Sequence, residues 1–176
     1  MSSISQVIFM ISQLEHDGVI ERYAIGGAVG ATFYLEPVAT LDVDIFVVFR
    51  PEAGKLILNL QPIFNYLISR GGVMEGEYVV IAGWPVQFLP PTSPLVDEAL
   101  ADAVTVEVDE RPARVFTAEH LAAIALQTGR PKDKARLLQF IESGALDAQR
   151  FQTILARHGL SGRWQQFERT FLTGEK

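Results

Sequence analysis

The chain has 176 residues, 48% of them hydrophobic and 20% charged, and it contains no cysteine. This composition is ordinary for a globular domain that buries roughly 70% of its unfolded surface, and the lack of cysteine excludes disulfides, zinc–thiolate sites and thiol nucleophiles. The net charge of −6, from 21 acidic and 15 basic residues, argues against duplex DNA as the main partner, because proteins that grip many phosphates are usually basic.

The first element is an amphipathic helix, predicted over residues 4–16 and ended by the turn signal Asp17-Gly18. It lacks the basic segment and the small-residue cleavage site of a signal peptide, so we expect a cytoplasmic protein. No uncharged run approaches the ~18 residues needed to span a bilayer, and we therefore expect no membrane partner.

Helix and strand patterns alternate over the next segment of the chain. In chain order they predict a strand over 20–25, a short helix over 28–36, a strand over 41–49 and a helix over 53–70. The strand over 41–49 is the clearest, because its apolar run (LDVDIFVVF) is interrupted only by two aspartates near its start.

Beyond residue 70 the strand patterns come in pairs before the chain turns helical. They predict strands over 77–82 and 84–89, a helix over 94–103, strands over 104–109 and 112–116, and helices over 117–128, 131–143, 147–158 and 161–171. This order predicts an α+β (mixed α/β) fold, with a mixed sheet flanked by helices. We expect a core over 1–116 and a C-terminal helical region over 117–176 packed on it.

Gly26-Gly27 and the pair Asp42 and Asp44 are the most informative residues. A glycine pair at a strand-to-helix turn lets phosphate oxygens approach backbone N–H groups, and the helix that follows aims its positive end at the same place. Two carboxylates one strand repeat apart face the same way and can share Mg²⁺ (or Mn²⁺). The alternative is a purely structural role, with a tight turn beside a solvent-facing strand edge. A motif match in one sequence does not exclude this alternative.

The stretch AIGGAVGATFYLEPVATLDVDIFV resembles the signature of the polymerase-β-type nucleotidyltransferase superfamily. It is most similar to the small prokaryotic branch related to abortive-infection toxins and minimal nucleotidyltransferases. The later stretch HLAAIALQTGRPKDKARLLQFIE resembles the Lys-Asp helical motif of that branch. The resemblance implies that Gly26 and Gly27 hold the triphosphate of an NTP and that Asp42 and Asp44 ligate the metal.

Four further residues are candidates for the same site. The resemblance implies that Lys132 and Asp133 lie close to the nucleotide or to the acceptor, with Arg130 as an auxiliary residue. The alternative for these three is a solvated turn between helices, with Pro131 at the first helical position. Thr40 is a candidate for phosphate binding, or it merely caps the turn.

Gln87 departs from the pattern of the superfamily. Active members carry a third carboxylate on a later strand, and the strand WPVQFL has Gln87 at the matching position. A glutamine amide carries no charge and is not a base at neutral pH, so the second metal and turnover are in question. Glu75 or Glu77 could substitute. His16, His120 and His158 lack ligand spacing and are predicted at helix surfaces or ends.

The sequence therefore predicts transfer of a nucleoside monophosphate from an NTP to an acceptor hydroxyl on an RNA end, a protein or a small molecule. The competing hypothesis is a degenerate module that binds a nucleotide or a partner without turnover. The resemblance to abortive-infection proteins also raises a toxin–antitoxin or phage-defence role with a cognate partner protein, by analogy alone.

Overall fold

Seven strands form one mixed sheet in the computed structural model, which describes residues 3–37, 39–40, 42–49 and 59–174. The strands are β1 (Arg22–Ile25), β2 (Val43–Val48), β3 (Val73–Glu75), β4 (Tyr78–Ile81), β5 (Trp84–Leu89), β6 (Val104–Val108) and β7 (Arg111–Val115). Their order across the sheet is β3-β4-β5-β2-β1-β7-β6. The pairs β2–β5 and β1–β7 are parallel and the other neighbours are antiparallel.

Helices cover both faces of this sheet. They are α1 (Ser3–His16), α2 (Gly27–Ala31), α3 (Gln61–Ile68), α4 (Pro94–Ala101), α5 (Ala118–Thr128), α6 (Pro131–Ser143), α7 (Ala148–Arg157) and α8 (Ser161–Phe167), followed by a π-helical turn over Glu168–Leu172. Within the described ranges, no helix is both long and apolar enough to cross a membrane.

The alternation of β2 assigns its two faces to two hydrophobic clusters. Val43, Ile45 and Val47 are buried in the cluster that holds the apolar residues of α1 and α3. Phe46 packs against the other cluster, which contains the buried residues of α4 to α8. Because side chains two apart on a strand share a face, Asp44 lies on the side of the C-terminal helices.

The structure confirms the predicted α+β class, with its mixed sheet flanked by helices. The C-terminal helices share their cluster with Ala24 of β1 and Ala31 of α2. The division of the chain at residue 117 stays a prediction.

Two predicted helices differ from the observed ones, and one strand is missing from the prediction. Helix α2 ends at Ala31 instead of residue 36, where the Thr32 hydroxyl bonds the carbonyl of Val29 at 2.7 Å and the chain turns away. Strand β3 was not expected, because all three of its side chains are exposed and show no alternation. Residues 53–58 of the predicted helix over 53–70 lie outside the described part, and α3 covers 61–68.

Candidate functional site

The turn between β1 and α2 is held directly against β2. The Gly26 amide donates to the backbone carbonyl of Asp44 at 3.0 Å. Gly27 has a φ of +57°, and a Cβ there would lie 2.0 Å from Oδ2 of Asp44. A Cβ on Gly26 would lie 2.5 Å from the Phe46 ring. Both positions therefore need glycine, because the backbone approaches β2 too closely for any side chain.

Asp42 lies just before β2 and Asp44 is its second residue, and both line the same cavity. Burial raises the pKa of Asp44, and the neighbouring charge of Asp42 raises it further. The Thr40 hydroxyl contacts the Asp42 carbonyl at 3.2 Å and its Oδ1 at 3.5 Å, which orients the residue before the strand. Two hard-oxygen ligands, one of them costly to keep charged without a partner, fit a divalent cation.

A row of side chains crosses four strands beside Asp44. Gln87 on β5 is the parallel-register partner of Asp44. The antiparallel register of β4 and β5 brings Tyr78 opposite Gln87, and Glu75 on β3 pairs with Tyr78. Cross-strand partners face the same side of a sheet, and all four residues line the cavity. The uncharged amide of Gln87 therefore occupies the place next to the metal-ligand candidates.

Helix α6 forms a basic wall opposite the sheet, made of Arg130, Lys132 and Arg136, whose positive charges all lower the pKa of Asp44. The buried carboxylate of Asp133 holds two of them. It accepts from Nε of Arg130 at 2.6 Å and lies 3.8 Å from Nη1 of Arg136. Asp133 also accepts from the Arg130 amide at 3.3 Å, which caps the helix where Pro131 begins it. One carboxylate thus fixes both the start of α6 and its arginines.

The cavity between the sheet and α6 has a volume of about 1,100 Å³, slightly above the range of about 300–1,000 Å³ for small-molecule sites. Its apolar part is lined by residues of α4, α5 and the segment after β7. These include Val96, Phe116, Leu121 and Ile124. The combination of an apolar surface, a basic wall and two carboxylates suits a ligand with a ring at one end and phosphates at the other.

The structure brings the predicted site residues together. Gly27, Thr40, Asp42, Asp44, Gln87, Arg130, Lys132 and Asp133 all line this cavity, and Gly26 adjoins it through its bond to Asp44. Their roles remain predictions. Sequence reasoning missed Arg136, although its spacing of three from Asp133 on a helix indicated the contact. It also missed Tyr78, whose position follows from strand pairing and gives no local signal.

A second group of metal-type side chains lies away from the cavity. The ligand atoms of Glu98, Asp102 and His120 all lie within 4.8 Å of one another. Glu98 already bonds Arg157 at 2.8 Å, His158 at 2.8 Å and His120 at 3.2 Å. Burial raises the pKa of Glu98, but these hydrogen bonds outweigh it and hold that pKa at about 2. The group could bind a metal, yet the carboxylate of Glu98 already joins α4 to α5 and α7. We call Glu98 with His120, Arg157 and His158 the Glu98 hub.

The two histidines of this hub differ from each other in exposure. His158 is the C-cap of α7 and His120 lies in the first turn of α5, both at helix ends as predicted, but His120 is fully buried. Thr117 and Glu98 satisfy both ring nitrogens of His120, at 2.7 and 3.2 Å. Burial is the main reason that the pKa of His120 is lowered.

No protein-family profile matches the chain, and no curated protein matches it in sequence. Solved structures that share its fold include three at 17% identity. An antigenic nucleotidyltransferase-like protein from Paracoccidioides brasiliensis has a TM-score of 0.59 and covers 93% of this chain and 92% of its own. ANT(2″)-Ia in complex with adenylyl-2″-tobramycin has a TM-score of 0.56, with 93% and 99% covered. The solution structure of the antibiotic-resistance factor ANT(2″)-Ia has a TM-score of 0.54, with 96% and 98% covered.

Proposed function

From the nucleotidyltransferase-like fold of this chain, we propose that it binds an NTP with Mg²⁺ (or Mn²⁺) and transfers the nucleoside monophosphate to an acceptor hydroxyl. The observation that carries the proposal is the convergence of three features on one cavity. These are the glycine turn, the Asp42–Asp44 pair and the basic wall of α6. A structural turn and a solvated strand edge would not require three cations whose charges act on Asp44.

The cavity suits a triphosphate laid from the α6 wall towards Asp44. Arg130, Lys132 and Arg136 would neutralise the phosphate oxygens, and the backbone of Gly27, which lines the cavity beside Asp44, would face them. Asp42 and Asp44 would hold the metal, which would neutralise the charge that develops on the phosphates during transfer. The apolar part of the cavity would receive the base.

Gln87 supports a second candidate, a module that binds the nucleotide without turnover. Its amide lies in register with Asp44, where a third carboxylate would position a second metal and take the proton of the attacking hydroxyl. A neutral amide does neither of these. Nucleotide binding would depend on Asp42 and Asp44, whereas turnover would depend on the position that Gln87 occupies. The two candidate functions therefore differ in whether transfer follows binding.

We propose three classes of acceptor: an RNA end, a protein hydroxyl or a small molecule. ANT(2″)-Ia, which shares the fold, was solved with adenylyl-2″-tobramycin, a nucleotidylated small molecule. The sequence resemblance to abortive-infection proteins extends the proposal to a cytoplasmic role in a toxin–antitoxin or phage-defence pair. Co-purification with the product of the neighbouring gene tests that extension.

Calorimetry with each of ATP, CTP, GTP and UTP, with and without Mg²⁺, tests the proposal. We expect Mg²⁺-dependent binding of at least one NTP, lost in the double variant Asp42→Ala/Asp44→Ala. The control removes two exposed carboxylates outside the cavity, Glu21→Ala/Glu107→Ala, and should bind as the unmodified chain does. Equal binding by both double variants would refute the site, and binding without any transfer of the α-phosphate would favour the non-catalytic module.

A further inference from the structure

The row of cross-strand side chains described above leads across the sheet, away from the candidate metal ligands. From one end to the other it runs through Gly26, Asp44, Gln87, Tyr78 and Glu75, each on the next strand or at its end. Neighbouring strands are about 4.8 Å apart, so Tyr78 stands about 10 Å from Asp44 in the backbone, with its side chain on the cavity side.

In nucleotidyl transfer, the position of the leaving group determines from which end of this row the attacking oxygen must come. The attacking oxygen and the leaving pyrophosphate must lie roughly in line, on opposite sides of the α-phosphorus. If the α-phosphate lies at Asp44 and the β- and γ-phosphates lie at Gly26-Gly27, the attacking oxygen must come from the opposite end of the row. That end is occupied by Gln87 and, one strand further, by Tyr78.

Four hydroxyl side chains line the cavity, and only Tyr78 of these described residues continues the sheet row beyond Gln87. Thr40 contacts Asp42 at 3.2 Å and Thr128 donates to the carbonyl of Ile124 at 2.8 Å. Thr92 lies past the end of β5. Burial and the neighbouring carboxylates of Glu77, Asp42 and Asp44 raise the pKa of the Tyr78 hydroxyl. A metal between the two aspartates would offset their charges at this hydroxyl.

We propose that Tyr78 is an internal acceptor, so that the chain nucleotidylates itself at this hydroxyl. The inference rests on the proposed function and names one acceptor for it. The Tyr78 oxygen forms a bond to the α-phosphorus, and the bond from that phosphorus to the oxygen bridging to the β-phosphate breaks. Pyrophosphate leaves, and the phenolic proton passes to Glu77. The product is a phosphodiester that joins tyrosine to the nucleoside, and it fills the acceptor side of the cavity.

The test uses the full chain with Mg²⁺ or Mn²⁺ and NTPs labelled at the α-phosphate, without an added acceptor. We expect label on the protein, mapped by tandem mass spectrometry to the peptide that contains Tyr78. Label from the γ-phosphate should not be transferred, which separates nucleotidylation from phosphorylation. The mapping needs no variant, so a folding defect cannot obscure it.

Tyr66 provides a matched control for the variant Tyr78→Phe. Its hydroxyl donates to the carboxylate of Asp17 at 2.6 Å, and it lies outside the cavity. We expect Tyr78→Phe to lose the label completely and Tyr66→Phe to retain it, with both variants bound to NTP and folded by thermal melting. Label on another residue overturns the inference. So does an absence of label in a chain that binds NTP with Mg²⁺, and either result leaves nucleotide binding intact. Failure to bind any NTP refutes the proposed function itself.

Discussion

Replacing Gly27 with alanine would place a methyl group where the Asp44 carboxylate now lies. The new Cβ would be 2.0 Å from Oδ2, 2.9 Å from Cγ and 3.1 Å from Cβ of Asp44. Rotating the carboxylate would free Oδ2 but leave the Asp44 Cβ in place, so the backbone turn must also shift. We therefore expect Gly27→Ala to damage stability and metal binding together.

Two contributions set the size of the effect on stability. The left-handed φ of +57° costs alanine about 1–2 kcal/mol relative to glycine. The overlap with Asp44 adds about 1–3 kcal/mol, the usual cost of overpacking. In a domain of this length each 1 kcal/mol lowers Tm by about 2–4 °C, so the two contributions together lower Tm by roughly 4–20 °C.

Gly159→Ala separates the two contributions. Gly159 has a φ of +67°, and no atom lies within 4 Å of the position that a Cβ would take, so its alanine variant bears only the backbone cost, about 1–2 kcal/mol. Thermal melting and Mg²⁺–NTP calorimetry on both variants form the assay. We expect Gly27→Ala to melt lower than Gly159→Ala and to lose NTP binding, which Gly159→Ala keeps. Equal melting and retained NTP binding in Gly27→Ala would refute the close approach of the turn to Asp44.

Three other changes have definite expected outcomes. Gln87→Asp should raise α-phosphate transfer about 10–100-fold, since groups around a metal commonly change activity by that factor; an unchanged rate would exclude Gln87 as the cause of weak turnover. Asp44→Asn should raise Tm at pH 7 without metal, because the pKa of Asp44 is raised in the folded protein and its charge there costs stability. This gain in Tm should vanish below pH 3.8, the ordinary pKa of an aspartate, and a lower Tm of the variant at pH 7 would contradict the prediction. Glu98→Gln should destabilise the protein by about 1–3 kcal/mol in denaturant melts. Because the pKa of Glu98 falls from 4.5 to about 2, that loss should shrink as pH drops through this window, and a constant loss would contradict the hub.

The sequence was sufficient for the parts of the fold that local patterns encode. The alternation of LDVDIFVVF predicted β2, because strand periodicity alone decides it. Asp42 lies just before the strand, and both aspartates line the cavity. The glycine pair predicted the turn before α2. Strand β3 could not be predicted, because its exposed residues pair with β4 without a buried face to mark them.

The residues of the site could be predicted only in part, because some of them reach the cavity through long-range contacts that leave no local pattern. Lys132 and Asp133 were found through a motif, but the basic wall also needs Arg136, which Asp133 orients from inside α6. Tyr78 reaches the cavity through the pairing of β4 with β5, a long-range register that no local pattern specifies. The burial of His120 depends in the same way on α4 and α7 packing around Glu98.

The most direct test of the central claim is a crystal structure of the chain with Mn²⁺ and an NTP analogue that cannot be cleaved between its α- and β-phosphates. Anomalous scattering would locate the Mn²⁺ ions independently of the nucleotide. The account predicts a Mn²⁺ ion between the carboxylates of Asp42 and Asp44, with the triphosphate running past Gly26-Gly27 to the α6 wall. Mn²⁺ and nucleotide bound away from these two aspartates would contradict it.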